Sequence, residues 1–342
     1  MLRKGAHGLL TALTIQSVYA SPVIIRDTSL PKTTLKKTTI AGPKIDGVNF
    51  PDPSLIHTDR WYAFATRTIG SSIHIQVATS WDFDSWTLEH NSDGSQYNAL
   101  PHLPDWVVTN APNSWAPDVN QLDDGTFIMY YSASTKADSS KHCIGAATSS
   151  SVRGPYIPTS SEPLFCPLDQ GGAIDAAGFN DNGQRYVVYK VDGNSLGKGG
   201  PCRNTVEPLV PTPLTIQPVA ADGFTLTGSS TALLDHSRSS DDGILEAPVL
   251  VKSGSTYFLL FSSGCFTTTD YKVDYATAPS IIGPYTRAAH PLIATGDNGL
   301  IAPGGADVSE DLKYMLFHAN HGGGRALYTA TITVSGTNLS VV

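Results

Sequence analysis

The chain is short of charge, of sulfur and of sustained apolar runs. Only 15% of its 342 residues are charged, and there are four Cys and three Met. Helical periodicity is hard to find. Short apolar runs broken by Gly, Asp, Asn, Ser and Pro take its place, with 31 Gly and 23 Pro in all, which argues against a helical bundle and for an all-β protein. The four cysteines, Cys143, Cys166, Cys202 and Cys265, include no C-x-x-C pair, so the common zinc and redox motifs are excluded. Their even number suits two disulfides in an oxidising compartment. Three pairings are possible, of which Cys143 with Cys166 and Cys202 with Cys265 is favoured.

An apolar stretch long enough to cross a bilayer is also missing. Leu9 to Val18 is too short for that. With Arg3 and Lys4 before it and Val18-Tyr19-Ala20 after it, it reads as a secretion signal over residues 1–20. Removing it leaves 20 Lys and Arg against 30 Asp and Glu, a net −10. That balance repels nucleic acid and anionic membranes alike. Residues 21–44, rich in Thr, Lys and Pro, read as an extended leader, and the remaining 45–342 as one domain. Asn338-Leu339-Ser340 is the only glycosylation sequon.

What the chain does have is a repeat. Phe50-Pro51-Asp52-Pro53-Ser54 clasps an acid between prolines, and a strand-like Trp61 to Thr66 follows. Comparable entries stand at Trp115-Ala116-Pro117-Asp118, Ile174-Asp175-Ala176, Leu245-Glu246-Ala247-Pro248 and Pro303 to Asp307. Their starts lie 65, 59, 71 and 58 residues apart. Asp124-Gly125, Asn182-Gly183 and Ser253-Gly254 sit between apolar runs as hairpin turns. Gly154-Pro155-Tyr156 and Gly283-Pro284-Tyr285 echo each other at matching places. Five four-stranded units of this kind predict a five-bladed β-propeller, whose inner strands bring their entry residues to one mouth. Asp52, Asp118, Asp175, Glu246 and Asp307 are expected there at equivalent positions, with Asp118 and Asp307 as turn or capping residues. Small and apolar flanks around Asp52, Asp175 and Glu246 favour burial, which raises a carboxyl pKa. Crowded carboxyls also hold a proton, as glycoside hydrolysis requires of its acid.

In order and spacing, these motifs resemble glycoside hydrolase family 43, propeller enzymes that cut arabinose- and xylose-containing glycans. The resemblance covers the chain from about residue 45 onward. It implies Asp52 as general base, Glu246 as general acid and Asp175 as the residue that orients the acid and holds up its pKa. It further implies inversion at the anomeric carbon, with a sugar contact from Arg325. Trp115 is a candidate stacking face, since apolar sugar faces pack on aromatic rings, and a core residue at a strand start is the alternative. His318 corresponds to a histidine that holds a channel calcium through water in relatives, although a lone core His is more often a hydrogen-bonded packing residue. No cofactor is required on this reading, and a structural calcium is the one ion it allows. The expected partner is plant cell-wall polysaccharide or oligosaccharide, and the expected state a monomer. Exo release of α-L-arabinofuranosyl units is the first expectation; endo-1,5-α-L-arabinanase and β-xylosidase are the alternatives. A non-catalytic glycan-binding propeller is the reading from another class, and it would not need three such carboxyls. Invertase-like propellers are set aside, since their Arg-Asp-Pro and Glu-Cys are Ile174-Asp175-Ala176 and Glu246-Ala247 here. Leu88 to Asn113 (with Tyr97, His102 and Trp106) and Gly193 to Cys202 are the segments expected to wall the pocket.

Overall fold

The structure is a computed structural model that describes residues 40–237 and 241–342. The expected secretion signal and most of the expected leader lie outside these residues. Twenty strands form five sheets of four, each antiparallel and each built from consecutive strands. This is a five-bladed β-propeller. The innermost strands are Ser54–His57, Trp115–Gln121, Ala173–Asp181, Leu245–Ser253 and Gly304–Val308. The apolar residues of the second strands fill the space between blades. Phe64, Tyr131, Phe258, Phe261 and Phe317 are fully buried there, and burying an aromatic or aliphatic side chain contributes roughly 1.5–3 kcal/mol. The repeat extends to the outer turns. Tyr156 Oη donates to the Val152 carbonyl at 2.7 Å and Tyr285 Oη to that of Ile281 at 3.0 Å. The disulfides are Cys143–Cys166 and Cys202–Cys265.

The ring closes on residues assigned from sequence to the leader. Ala41 and Thr329 exchange two backbone hydrogen bonds of 2.9 Å, and Lys44 N donates to Leu327 O at 2.8 Å. Phe50 N adds a bond to Arg325 O. Residues 41–50 thus lie along the third strand of the last blade, Gly324–Ser335, which brings residues 41–44 of the expected leader onto the propeller.

The register refines the repeat. Each blade has a left-handed residue at the entry of its inner strand: Asp52 (φ 53°), Ala116 (41°), Asp175 (58°), Ala247 (50°) and Gly305 (55°). The pairing with the second strand slips at this point in blades two to five, as a bulge does. Aligned on that residue, the five expected acids are not equivalent. Asp52 and Asp175 occupy the left-handed position itself, Glu246 the one before it, and Asp118 and Asp307 the one two places after. The sequence could not mark the bulge, because only blade five places a glycine there.

The amide of each left-handed residue donates to a side chain of the preceding blade. Asp52 N reaches His318 Nδ1 (3.0 Å), Ala116 N reaches Thr66 Oγ1 (3.0 Å), and Asp175 N reaches Ser132 Oγ (3.0 Å). Gly305 N reaches Ser262 Oγ (2.9 Å). The four acceptors share one register position, where Ser132 faces Trp115, Ser262 faces Glu246, His318 faces Gly304 and Thr66 N donates to Pro51 O. Blade three has Lys190 there, opposite Ile174. An ammonium has no lone pair to accept with, and the amide of Ala247 goes instead to Asp175 Oδ2 at 2.9 Å.

Candidate active site

A cavity of about 580 Å³ opens at the mouth of this ring, lined by Asp52, Asp175, Glu246, Trp115 and Arg325 among others. Beneath it a void of about 40 Å³ runs into the channel, between Ser54, Asp118, Ala177, Val249 and Asp307. Register explains the division. In blades one to four the residues at and just before the left-handed position line the upper cavity, and in all five blades the residue two places later lines only the void. Asp118 and Asp307 belong to the second group. Burial pushes Asp118 up to about 6 and raises Asp307, which also faces Asp118. The Gly178 amide donates to Asp118, and those of Leu55 and Val308 to Asp307, so both acids tie strands together.

Asp52 is half-buried and held ionised. Burial alone would raise its carboxyl, yet Arg325 and Thr66 overcome that, and it lies below the usual carboxylate range. Arg325 Nη1 is 2.7 Å from Oδ1, and Thr66 Oγ1 donates to Oδ2 at 2.6 Å. Gly324 makes this approach possible, since a Cβ there would sit 2.7 Å from Asn49 Oδ1, the atom that accepts the Arg325 amide. The Arg325 guanidinium also stacks on Phe266, 5.2 Å from its ring centroid.

Asp175 has the opposite environment. Burial comes first and the nearby Glu246 charge second in pushing it up to about 8, against an opposing pull from Lys190. It therefore carries a proton at neutral pH. Glu246 Oε1 accepts from Tyr271 Oη at 2.8 Å and Oε2 from Lys190 Nζ at 3.0 Å. Gly304 makes room for Tyr271, because a Cβ on it would lie 1.9 Å from that ring.

Trp115 lines the cavity and stacks on His142, ring centroids 3.7 Å apart. Burial pushes His142 down to about 4, so the ring under Trp115 is neutral. His318 is fully buried, and burial and Arg325 push it down to about 3. Its Nδ1 accepts the Asp52 amide, so the neutral ring carries its proton on Nε2, which has no protein partner. In that tautomer Nε2 presents a proton and not a lone pair. Among the described residues, no three His, Cys, Asp or Glu side chains gather as a metal site. The side chains as placed do not fit a directly held ion. The role the structure gives His318 is that of the amide acceptor its register position has in three other blades.

The pocket walls differ from the sequence expectation. Tyr97, Leu100 and Trp106 are buried in the core with Phe64, Tyr131 and Tyr156, so 88–113 packs blades together and does not line the cavity. Gly193 to Cys202 acts at one remove, because Cys202 is bonded to Cys265, which precedes the lining residues Phe266 and Thr267. Arg67, Ile69 and residues 320–325 supply the rest of the rim. Sequence reasoning missed Thr66, Lys190 and Tyr271. Only Thr66, at the end of an apolar strand beside the Asp52 motif, carried any signal of its place.

A sequence model of the Glycosyl hydrolases family 43 matches residues 44–335. The chain belongs to that family. This family-43 chain is 29% identical over 254 residues to an extracellular endo-α-(1→5)-L-arabinanase of Thermotoga petrophila, a match covering 68% of the chain and 50% of the relative. The chain thus spans about half the length of that arabinanase. It is 24% identical over 324 residues to a β-D-galactofuranosidase of Aspergillus niger, covering 86% of the chain and 82% of the relative. Among solved structures, a thermostable family-43 glycoside hydrolase superposes with a TM-score of 0.70 at 24% identity, over 86% of this chain and 92% of the other. An endo-arabinanase from Bacillus licheniformis gives 0.63 at 22%, over 87% and 99%. At these identities the structural likeness is one of fold.

Proposed function

We propose that the protein is a secreted, inverting glycoside hydrolase of arabinose- and xylose-containing plant cell-wall polysaccharide that releases terminal α-L-arabinofuranosyl units. What supports the reading is one juxtaposition. An ionised Asp52 lines the same cavity as Glu246, beside an Asp175 that holds a proton at neutral pH. Hydrolysis with inversion needs a base for water on one side of the sugar and an acid for the leaving oxygen on the other. Asp52, kept charged by Arg325, takes the proton from water. Glu246 delivers a proton to the departing oxygen, with the protonated Asp175 beside it to orient it and hold up its proton affinity. Ile69, Trp115 and Phe266 offer apolar faces against which sugar rings pack. A cavity of about 580 Å³ suits a chain end and its neighbour better than a long run of polymer.

The endo-1,5-α-L-arabinanase reading stays beside this one, because the Thermotoga relative and two Bacillus subtilis relatives carry that name. Digestion of linear arabinan, arabinoxylan and aryl glycosides with the products resolved by size separates the two. Single arabinose units from the outset support exo action, and a ladder of oligomers supports endo action. The newly released anomer, followed by NMR, reports inversion. Glu246→Ala is expected to cut turnover of natural glycans by roughly 10²–10⁴. The same variant should lose far less on activated aryl glycosides, whose leaving groups need little protonation.

A further inference from the structure

We propose that Lys190, fully buried between Glu246 Oε2 (3.0 Å) and Asp192 Oδ1 (3.2 Å), is the positioning residue that decides how firmly the pair of Glu246 and Asp175 holds its proton. The inference rests on reading Glu246 as the proton donor. Its ground is the comparison of blades. Thr66, Ser132, Ser262 and His318 use this register position to accept the next blade's amide, and blade three alone puts a cation there. The substitution gives up that acceptor, and Asp175 Oδ2 takes over the Ala247 amide. A structural role would have been met by a serine. What the lysine adds is a positive charge on the carboxyl that lines the cavity, applied from a place that does not line it.

The charges around Glu246 come from several elements. Lys190 and Asp192 reach it from blade three, where Asp175 shares the mouth; Tyr271 Oη donates to it from blade four; and the Asp52–Arg325 pair stands across the cavity. Burial raises the Asp192 carboxyl, and Lys190 opposes that rise. The ammonium therefore divides its attraction between two carboxylates. An opposite charge within about 4–6 Å lowers a carboxyl pKa by roughly 1–3 units. Lys190 thus keeps the Glu246–Asp175 pair from holding its proton too tightly to give it up, while Asp192 draws off part of that positive charge.

Two substitutions move the system in opposite directions. Lys190→Met removes the cation, so the Glu246–Asp175 pair binds its proton more tightly. The basic limb of kcat/KM against pH then moves up, by about one unit. Asp192→Asn leaves the whole charge on Glu246, and the basic limb moves down. Lys190→Arg keeps the charge and leaves the limb near its wild-type place. Opposite shifts in the first two variants, with thermal unfolding showing that each is folded, establish the proposal. A basic limb unmoved in both while Glu246→Ala is inactive on natural glycan overturns it, leaving Lys190 as packing and the site reading intact. Glu246→Ala with wild-type turnover overturns both. Asp192→Asn carries the test alone if Lys190→Met does not fold.

Discussion

Asp52 and Asp175 are the same residue at the same register position of two blades, with φ of 53° and 58°. Both are half-buried at one mouth, yet one is held below the ordinary carboxylate range and the other is pushed up to about 8. Burial cannot explain the difference, since it acts on both in the same sense. The neighbour does. Asp52 faces the Arg325 guanidinium at 2.7 Å, whereas Asp175 faces the carboxylate of Glu246, which is itself shared with Lys190. A propeller that repeats a backbone five times can place identical side chains in opposite protonation states by changing only what the adjoining blade presents.

The contrast can be broken most severely at its ionised member. Asp52→Asn keeps the shape and removes the base, and turnover is expected to fall by roughly 10²–10⁴. Near-full activity in steady-state assays would refute the assignment. Removing the neighbour instead sharpens the comparison. In Arg325→Met, Asp52 faces burial without its cation and its pKa rises. The proposed mechanism needs the ionised form, so the acid limb of the pH–rate profile is expected to move up, by about one unit or more. Arg325→Lys should recover part of that shift.

The smallest effect concerns stability. A carboxyl raised from 3.8 to about 8 by folding favours the folded state fully below pH 4, and that contribution drains away as pH rises through 8. Asp175→Asn stays neutral throughout. Its melting temperature is expected to match the parent near pH 4 and exceed it by a few degrees at pH 8, with activity lost. A constant difference across that range would mean that Asp175 does not hold a proton in the folded protein.

The propeller was legible because its signals are local. Asp-Gly and Asn-Gly turns, Gly-Pro-Tyr corners and apolar runs each act over a few residues and recur at a near-constant period. Asp52, Asp175 and Glu246 stood out for their small or rigid flanks. Their offsets did not, because a left-handed alanine such as Ala116 or Ala247 looks like any other alanine on the page. Lys190 was invisible for a different reason. In Tyr186-Val187-Val188-Tyr189-Lys190-Val191 it reads as a strand reaching solvent, and only the carboxylates of Glu246, from 56 residues further on, and nearby Asp192 make its burial tolerable. Tyr271 likewise sits in a polar loop whose fold-back depends on Gly304.

Asp52 owes its charge to partners that the ribosome makes late. His318, on the second strand of the last blade, lies 266 residues away along the chain and Arg325, on the third, 273; residues 41–50 lie against the third. Until that final blade is synthesised and seated, the first blade has an aspartate without its guanidinium and an amide without its acceptor. On the proposed mechanism, a polypeptide that has folded only its first four sheets cannot yet deprotonate water, and competence waits until the circle is completed.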